Sequence, residues 1–264
     1  MRRLFSISVL AIVLLSSCAG PKEVSETPGE LKGPPKPLTS SFKMLSINVA
    51  HGLNDKTDVK KFANWVKATG AEVVAIQQIV RATDSKPGFD PYEELRKLLD
   101  MRGTFAKARY YQGWDSGNAL FCLYPMMQSN GYPLPTSKGK VRRSLSFAVF
   151  ELGLKSVAFA STDLDEDDSS ERMKQVREIF AIQKSMEEYP MIVAGNFGEA
   201  MNGKASSQMR ERYICANTAS ESLNGIEQQV YIPMNKKMNV LSAEKVYYKP
   251  FNQSGLLVTV EVVQ

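Results

Sequence analysis

The stretch Met191–Glu199, MIVAGNFGE, sets the frame into which the rest of the chain must fit. Its apolar run, Met191 to Ala194, reads as a buried strand, and Gly195 is expected to end that strand in a tight turn carrying Asn196 and Gly198. In open α/β sheets the carboxyl ends of strands are where loops approach a ligand without disturbing the core. The residues around this turn are therefore candidate site residues.

The chain begins with a basic head, Arg2 and Arg3, an apolar core from Val9 to Leu15, and small residues around Cys18. That is a secretory leader over residues 1–17, too short to span a bilayer permanently. Its ending, Leu15-Ser16-Ser17-Cys18, resembles the bacterial lipobox, which implies lipid on Cys18 and a membrane partner without a transmembrane helix. Residues 18–41 hold proline, glycine, lysine, glutamate and serine with hardly any large apolar side chain, so they read as a flexible tether. The remainder, 42–264, is long enough for one sizeable core. The expected location is the bacterial cell envelope, lipid-anchored and outside the cytoplasm.

The formal charge of the 264-residue chain is +5. Loss of Arg2 and Arg3 with the leader leaves 31 basic against 28 acidic residues, too mild a balance to argue for a nucleic-acid partner. The basic cluster Lys138, Lys140, Arg142 and Arg143 reads as a solvated loop. Cys122 and Cys215 remain after Cys18 is lipidated, and the sequence leaves open whether they pair.

Lys43–Val49 alternates as a strand. Val59, Phe62, Ala63 and Val66 then recur at helical spacing, with Thr57 as the expected cap and Gly70 as the stop. Glu72–Gln77 is the next buried strand. Pro91–Asp100 reads as a short helix, Asn118–Tyr124 as a strand, and Ser144–Leu152 with Ser156–Ala160 as a hairpin through Gly153. Tyr110, Tyr111 and Trp114 are placed on the loop before Asn118. The acidic run from Asp163 to Asp168 leads into a helix over about Ser169–Glu188, where carboxylates favour the positive helix end. Asn202–Gly225 is polar and unassigned, and Gln229–Ile232 and Leu256–Val263 are final strands. The mixture predicts an α/β protein of two mixed sheets, a four-layer α/β/β/α sandwich.

In this order, SINVAHG, AEVVAIQQ, GNALFCLYPM, STDLDEDDSSERMKQ, GNFG and QSGLLV resemble the segments of the endonuclease/exonuclease/phosphatase superfamily, the deoxyribonuclease-I-like fold. The similarity runs from about Lys43 to the C-terminus. Members use a divalent cation, usually magnesium, to polarise a phosphate while an activated water attacks. The resemblance therefore assigns each matching position a role. Asn48 is kept. Gln78 stands where the metal-binding glutamate is expected, Asp163 where a phosphate-contacting histidine is, and Asn196 where the aspartate resembling a general base is. Gly198 replaces a substrate-positioning asparagine, and Ser254 and Gly255 replace the closing Asp-His pair. Near Glu227–Gln229 the family often carries an aspartate.

An amide cannot take up a proton near neutral pH, and the only histidine, His51, cannot supply two. These positions predict a non-catalytic member that needs no cofactor and binds an unknown envelope ligand or protein. The alternative is a metal-dependent phosphoesterase with a rebuilt magnesium site at Asp163, Asp165 and Glu199.

Overall fold

The computed structural model describes residues 41–153, 155–234 and 238–263; the leader, Cys18 and the tether up to residue 40 lie outside them, and Ser41, read as the tether's last residue, is the first of β1. The chain opens with β1 (Ser41–Asn48), α1 (Lys56–Thr69) and β2 (Val73–Arg81), and β1 and β2 pair in parallel. α1 begins at Asp55, not at Thr57: the Asp55 carboxylate accepts the Asp58 N–H at 2.8 Å. It ends, as expected, at a left-handed Gly70. There follow α2 (Pro91–Leu99), β3 (Arg102–Tyr111), β4 (Trp114–Cys122), β5 (Met126–Leu134), β6 (Arg143–Leu152) and β7 (Lys155–Asp163). The second half continues with α3 (Ser169–Ser185), β8 (Met191–Asn196), α4 (Lys204–Met209), β9 (Tyr213–Cys215), β10 (Gln228–Pro233), β11 (Met238–Tyr248) and β12 (Gln253–Val262).

The strands form two six-stranded sheets, ordered β11-β12-β1-β2-β4-β3 and β5-β6-β7-β8-β10-β9. Each has one parallel pair, β1/β2 or β7/β8, and is otherwise antiparallel. This is the expected four-layer sandwich. Leu45, Ile47, Val74 and Ile76 face one way onto Val59, Phe62 and Val66 of α1 and Leu95 of α2. Phe147, Val149, Ala160 and Val193 do the same against Val176 and Ile179 of α3. The inner faces meet in a third cluster that includes Phe42, Met44, Val73, Leu120, Phe150, Phe159 and Ile192.

Several elements differ from the sequence reading. Tyr110, Tyr111 and Trp114 sit on a β3–β4 hairpin, not on a loop. β5 and β11 escape the hydrophobic pattern because they are sheet edges whose residues are mostly exposed or half-buried. Gly195 does not end its strand. It lies inside β8 opposite Gln229 and Thr162, where a Cβ would strike the Thr162 carbonyl. The turn comes later, at Gly198, with φ +62° and a Cβ position 2.5 Å from the Asp165 carbonyl oxygen. Cys122 and Cys215 are both buried and free.

The inner face changes character along its length, and every central strand changes at the same end. Side chains alternate across a strand, so residues two apart share a face. Along that face Met44 gives way to Ser46 and Asn48, Ala75 to Gln77, Leu120 to Asn118 and Ala148 to Ser146 and Ser144. In the same way Phe159 gives way to Ser161 and Asp163, Ala194 to Asn196, Val230 to Gln228 and Leu256 to Ser254. The chain enters at the apolar end, through Phe42; the candidate site residues collect at the polar end.

Candidate functional site

The polar end is built by hydrogen bonds between the sheets. Ser46 donates to Gln228 Oε1 at 2.8 Å, Gln228 Nε2 to Gln77 Oε1 at 3.2 Å, and Gln77 Nε2 to Ser161 Oγ at 3.1 Å. Beside this chain, Asn118 Nδ2 donates to the Ser144 carbonyl at 2.7 Å, and Ser144 Oγ to the Ala106 carbonyl at 2.9 Å. All the side chains in these bonds are buried, so each bond replaces water that the interior cannot supply.

Gln78 departs from the regular sheet. The β2–β4 register slips so that Ile76 faces Ala119 and Ile79 faces Gly117, and Gln77 and Gln78 share the place of one residue. Gln78 takes φ +55°, an uncommon conformation for a residue with a side chain. Such bulges re-aim side chains. Here Gln78 Nε2 reaches Asp163 Oδ2 and Glu166 Oε1, both at 3.2 Å. Arg143, at the start of β6, places Nη1 on Asp163 Oδ2 and Nη2 3.5 Å from Glu166. Burial pushes the Asp163 carboxyl up to about 6, against the opposing pull of the Arg143 guanidinium.

The remaining predicted positions serve the loops. Asn48 Oδ1 accepts the Ala50 N–H at 2.8 Å, and Asn196 Oδ1 accepts the Gly198 N–H at 3.0 Å. Both are side-chain turns, in which the amide holds its own backbone two residues on. Asp163 and Asn196 are register neighbours on parallel strands, and Asn196 faces Gln228 on the other side. Ser254 and Gly255 lie on β12, Gly255 opposite Ile47.

His51 is buried. Its Nε2 lies 2.8 Å from Ser116 Oγ, and its ring stacks on Tyr111 at 3.8 Å. Burial, helped by the nearby Arg109 charge, lowers its pKa to about 4, so the ring is neutral at physiological pH. Trp114 is buried with Lys86 over its ring, Tyr110 is exposed with Lys107 over its ring, and neither lines the cleft described below.

The three carboxylates of the rebuilt-cation expectation do not form one donor set. Asp163 is held by Arg143 and Gln78. Asp165 Oδ1 accepts the Asp167 and Asp168 N–H groups at 3.0 and 2.7 Å, which shapes the lead-in to α3, itself capped by Asp168. Glu199 accepts from Arg172 Nε and the Ser206 N–H, both at 2.9 Å. Among the described residues no group of three or more His, Cys, Asp or Glu side chains converges as metal ligands. A small hard dication needs several oxygen donors, and the one central carboxylate here is already in contact with a guanidinium. The residues present do not fit magnesium.

Between the sheets' polar ends a cleft opens, lined by Gln78, Arg109, Ser116, Asn118, Arg142, Arg143 and Asp163. Of these, Arg109, Ser116 and Asn118 are not among the predicted site positions, and Arg142 and Arg143 were read only as part of a solvated basic cluster. Asn118 carries the readable signal: it extends the inward face of β4 from Leu120, so a polar residue there must meet the other sheet. The Arg143–Asp163 pair joins positions 20 apart in sequence and gives no such local signal.

Comparison of the sequence with family models and with curated proteins finds no match. The fold is similar to that of an endonuclease/exonuclease/phosphatase from Bacteroides vulgatus, with a TM-score of 0.68 at 14% identity over 85% of this chain and 100% of that one. It is also similar to an endonuclease/exonuclease/phosphatase from Beutenbergia cavernae (TM-score 0.68, 16% identity, 84% of this chain and 72% of that one). The human Nocturnin catalytic domain, whose structure holds a sulfate anion, matches with TM-score 0.68 at 16% identity, over 84% of this chain and 93% of that one. At these identities the likeness speaks for architecture, and by architecture the chain has the deoxyribonuclease-I-like fold of the endonuclease/exonuclease/phosphatase proteins.

Proposed function

We propose that this protein is a non-catalytic member of its fold group that binds a ligand or partner through the polar end of the sandwich. The observation that carries the reading is the make-up of that end: amides stand at Gln78 and Asn196, and the Asp163 carboxylate and the His51 ring are already in contact with neighbours. Asp163 is engaged by Arg143 and Gln78, and Asn196 spends its side-chain oxygen on a turn. The neutral His51 is engaged by Ser116 and Tyr111. General acid–base catalysis needs a group within reach of the substrate that titrates near the working pH and is free to exchange a proton. The resemblance of Leu15-Ser16-Ser17-Cys18 to a lipobox supports an envelope location with lipid on Cys18.

The test uses the full-length chain in detergent, with p-nitrophenyl phosphate and bis(p-nitrophenyl) phosphate, in magnesium and in manganese. No turnover above the protein-free rate is expected. Turnover that is abolished by Gln78→Ala or Asn196→Ala would overturn the proposal.

A further inference from the structure

The chain carries three Asn-Gly dipeptides, Asn130-Gly131, Asn202-Gly203 and Asn224-Gly225, and the fold treats them differently. In such a pair the glycine nitrogen can reach the asparagine Cγ, since no Cβ on the glycine stands in its way. Two of the three are held. Asn130 and Gly131 lie in β5 opposite Phe147 and Ser146, and the Gly131 N–H donates to Asn130 Oδ1 at 2.8 Å. Gly131 is also packed against β3, where a Cβ on it would stand 3.1 Å from Ala106 Cβ. The Gly203 N–H donates to the Ala200 carbonyl at 2.9 Å, and Gly203 is covered by Glu199 at the start of α4, with a Cβ position 2.2 Å from Glu199 Cδ.

Asn224-Gly225 is open. Both residues are exposed, on the turn that leads from a short 3-10 segment, Glu221–Leu223, into β10. The Gly225 N–H has no acceptor among the described residues, and a Cβ on Gly225 would meet nothing within 4 Å. Asn224 has ψ −30°, so its Cα–C bond must rotate to bring the Gly225 nitrogen onto Cγ. Two hydrogen bonds resist that rotation: Met201 N–H to the Asn224 carbonyl at 3.4 Å, and Ile226 N–H to the Leu223 carbonyl at 3.3 Å. Both are longer than a well-formed N–H···O bond, so the turn gives way at small cost.

We propose that Asn224 is a site of spontaneous deamidation, which turns an amide on this turn into a carboxylate. The Gly225 N–H gives its proton to base in the solvent and the nitrogen attacks Asn224 Cγ. The Cγ–Nδ2 bond breaks, and Nδ2 leaves as ammonia after taking a proton from water. The resulting succinimide then takes up one water. Opening at Cγ restores the ordinary chain with an aspartate; opening at the backbone carbonyl routes the chain through Cγ and leaves an isoaspartate, with an extra methylene in the main chain. Either product adds a negative charge to a turn that already carries the exposed Glu221 and Glu227. The isoaspartate also lengthens the lead-in to Gln228, whose side chain accepts from Ser46 and donates to Gln77 between the sheets.

Peptide mapping by mass spectrometry tests it on the full-length chain in detergent, aged at neutral pH and physiological temperature. The amide-to-acid mass gain is followed at all three dipeptides, and labelling by an isoaspartyl methyltransferase identifies the isoaspartate. Asn224 is expected to convert about tenfold or more faster than Asn130 or Asn202, the rate equivalent of one hydrogen bond that the other two must first give up. In urea, where the fold no longer protects any of them, the three rates should converge. Gly225→Ala fits the open turn, because Gly225 lies outside the left-handed region, and is expected to slow conversion at Asn224 about tenfold with the melting temperature unchanged. Equal rates at the three sites of the folded protein, faster conversion at Asn130 or Asn202, the same ranking in urea, or indifference to Gly225→Ala would overturn the assignment.

Discussion

The two ends of the space between the sheets are held by different physics although the same strands run through both. Around Phe42, Phe150 and Phe159 the contact is aromatic and aliphatic, with Phe159 edge-on to Phe42 at 5.6 Å and tilted against Phe150 at 5.8 Å. Around Gln77 and Arg143 it is a hydrogen-bonded lattice of amides, hydroxyls and one buried ion pair. Apolar contact is non-directional and adds up with area, and a loss leaves a cavity that neighbours fill only in part. A buried polar lattice is directional, and removal of one member strands another. One end supplies stability through close packing; the other fixes the relative register of the sheets.

The largest expected effects come from breaking each end at its centre. Phe159→Ala should cost about 3–5 kcal/mol through the cavity it leaves. Arg143→Ala should cost a similar amount, about 3–5 kcal/mol, because it abandons the Asp163 charge in the interior. The comparison is sharpened by second substitutions. Adding Asp163→Asn to Arg143→Ala should recover part of the loss, since no buried charge then remains, whereas adding Phe150→Ala to Phe159→Ala should only deepen it. Urea unfolding of the four variants decides this. Recovery in neither pair would mean that both ends behave as simple packing.

A smaller effect is hidden in the wild type by two opposed titrations at the polar end. His51 falls to about 4 in the folded protein from 6.5, so between those values acid protonates the unfolded chain first and destabilises the fold. Asp163 rises to about 6 from 3.8, so in nearly the same window the folded protein takes up the proton first and acid stabilises it. Each amounts to roughly 3 kcal/mol over the window at about 1.4 kcal/mol per unit, with opposite signs. Stability of the wild type should therefore change little between pH 4 and 6.5 on their account. His51→Phe, which keeps the stack on Tyr111, should become more stable as the pH falls through 6. Asp163→Asn should become less stable through the same range. Parallel slopes in the two variants, measured by urea unfolding at half-unit steps, would refute the opposition.

Much of the apolar end was readable in the chain. Met44, Val73, Leu120 and Phe159 sit in runs whose periodicity is local, and a residue's burial there follows from its neighbours in sequence. The four-layer sandwich followed from these runs together with the order of the resembling segments, and the structure bears it out. The polar end was readable only in part. Asn48, Gln78, Asp163 and Asn196 could be placed at strand ends, but their partners could not, because Gln78 meets Glu166 across 88 positions and Gln77 meets Gln228 across 151. The bulge that turns Gln78 toward Asp163 leaves no trace in periodicity, since it is one slipped register in an otherwise regular strand. Edge strands failed for a third reason: β11 covers little, so its pattern of exposed and half-buried residues carries no period-two signal strong enough to read.

The finest test of the comparison is a double-mutant cycle at Gln77 and Gln228, whose side chains meet at 3.2 Å between the sheets. Gln77→Leu alone orphans Gln228 Nε2 and deprives the Ser161 hydroxyl oxygen of its donor, and should cost about 1–3 kcal/mol. Gln228→Leu alone orphans Gln77 Oε1 and the Ser46 hydroxyl, with a similar cost. The double variant replaces both amides with apolar groups of comparable size, continuing the inner face from Ala75 and Val230. If the polar lattice is there for readiness and register rather than for net stability, the double variant should be less damaged than the sum of the singles, with a coupling of about 1 kcal/mol or more. Strict additivity would place these amides with the apolar core, as filler that happens to be polar.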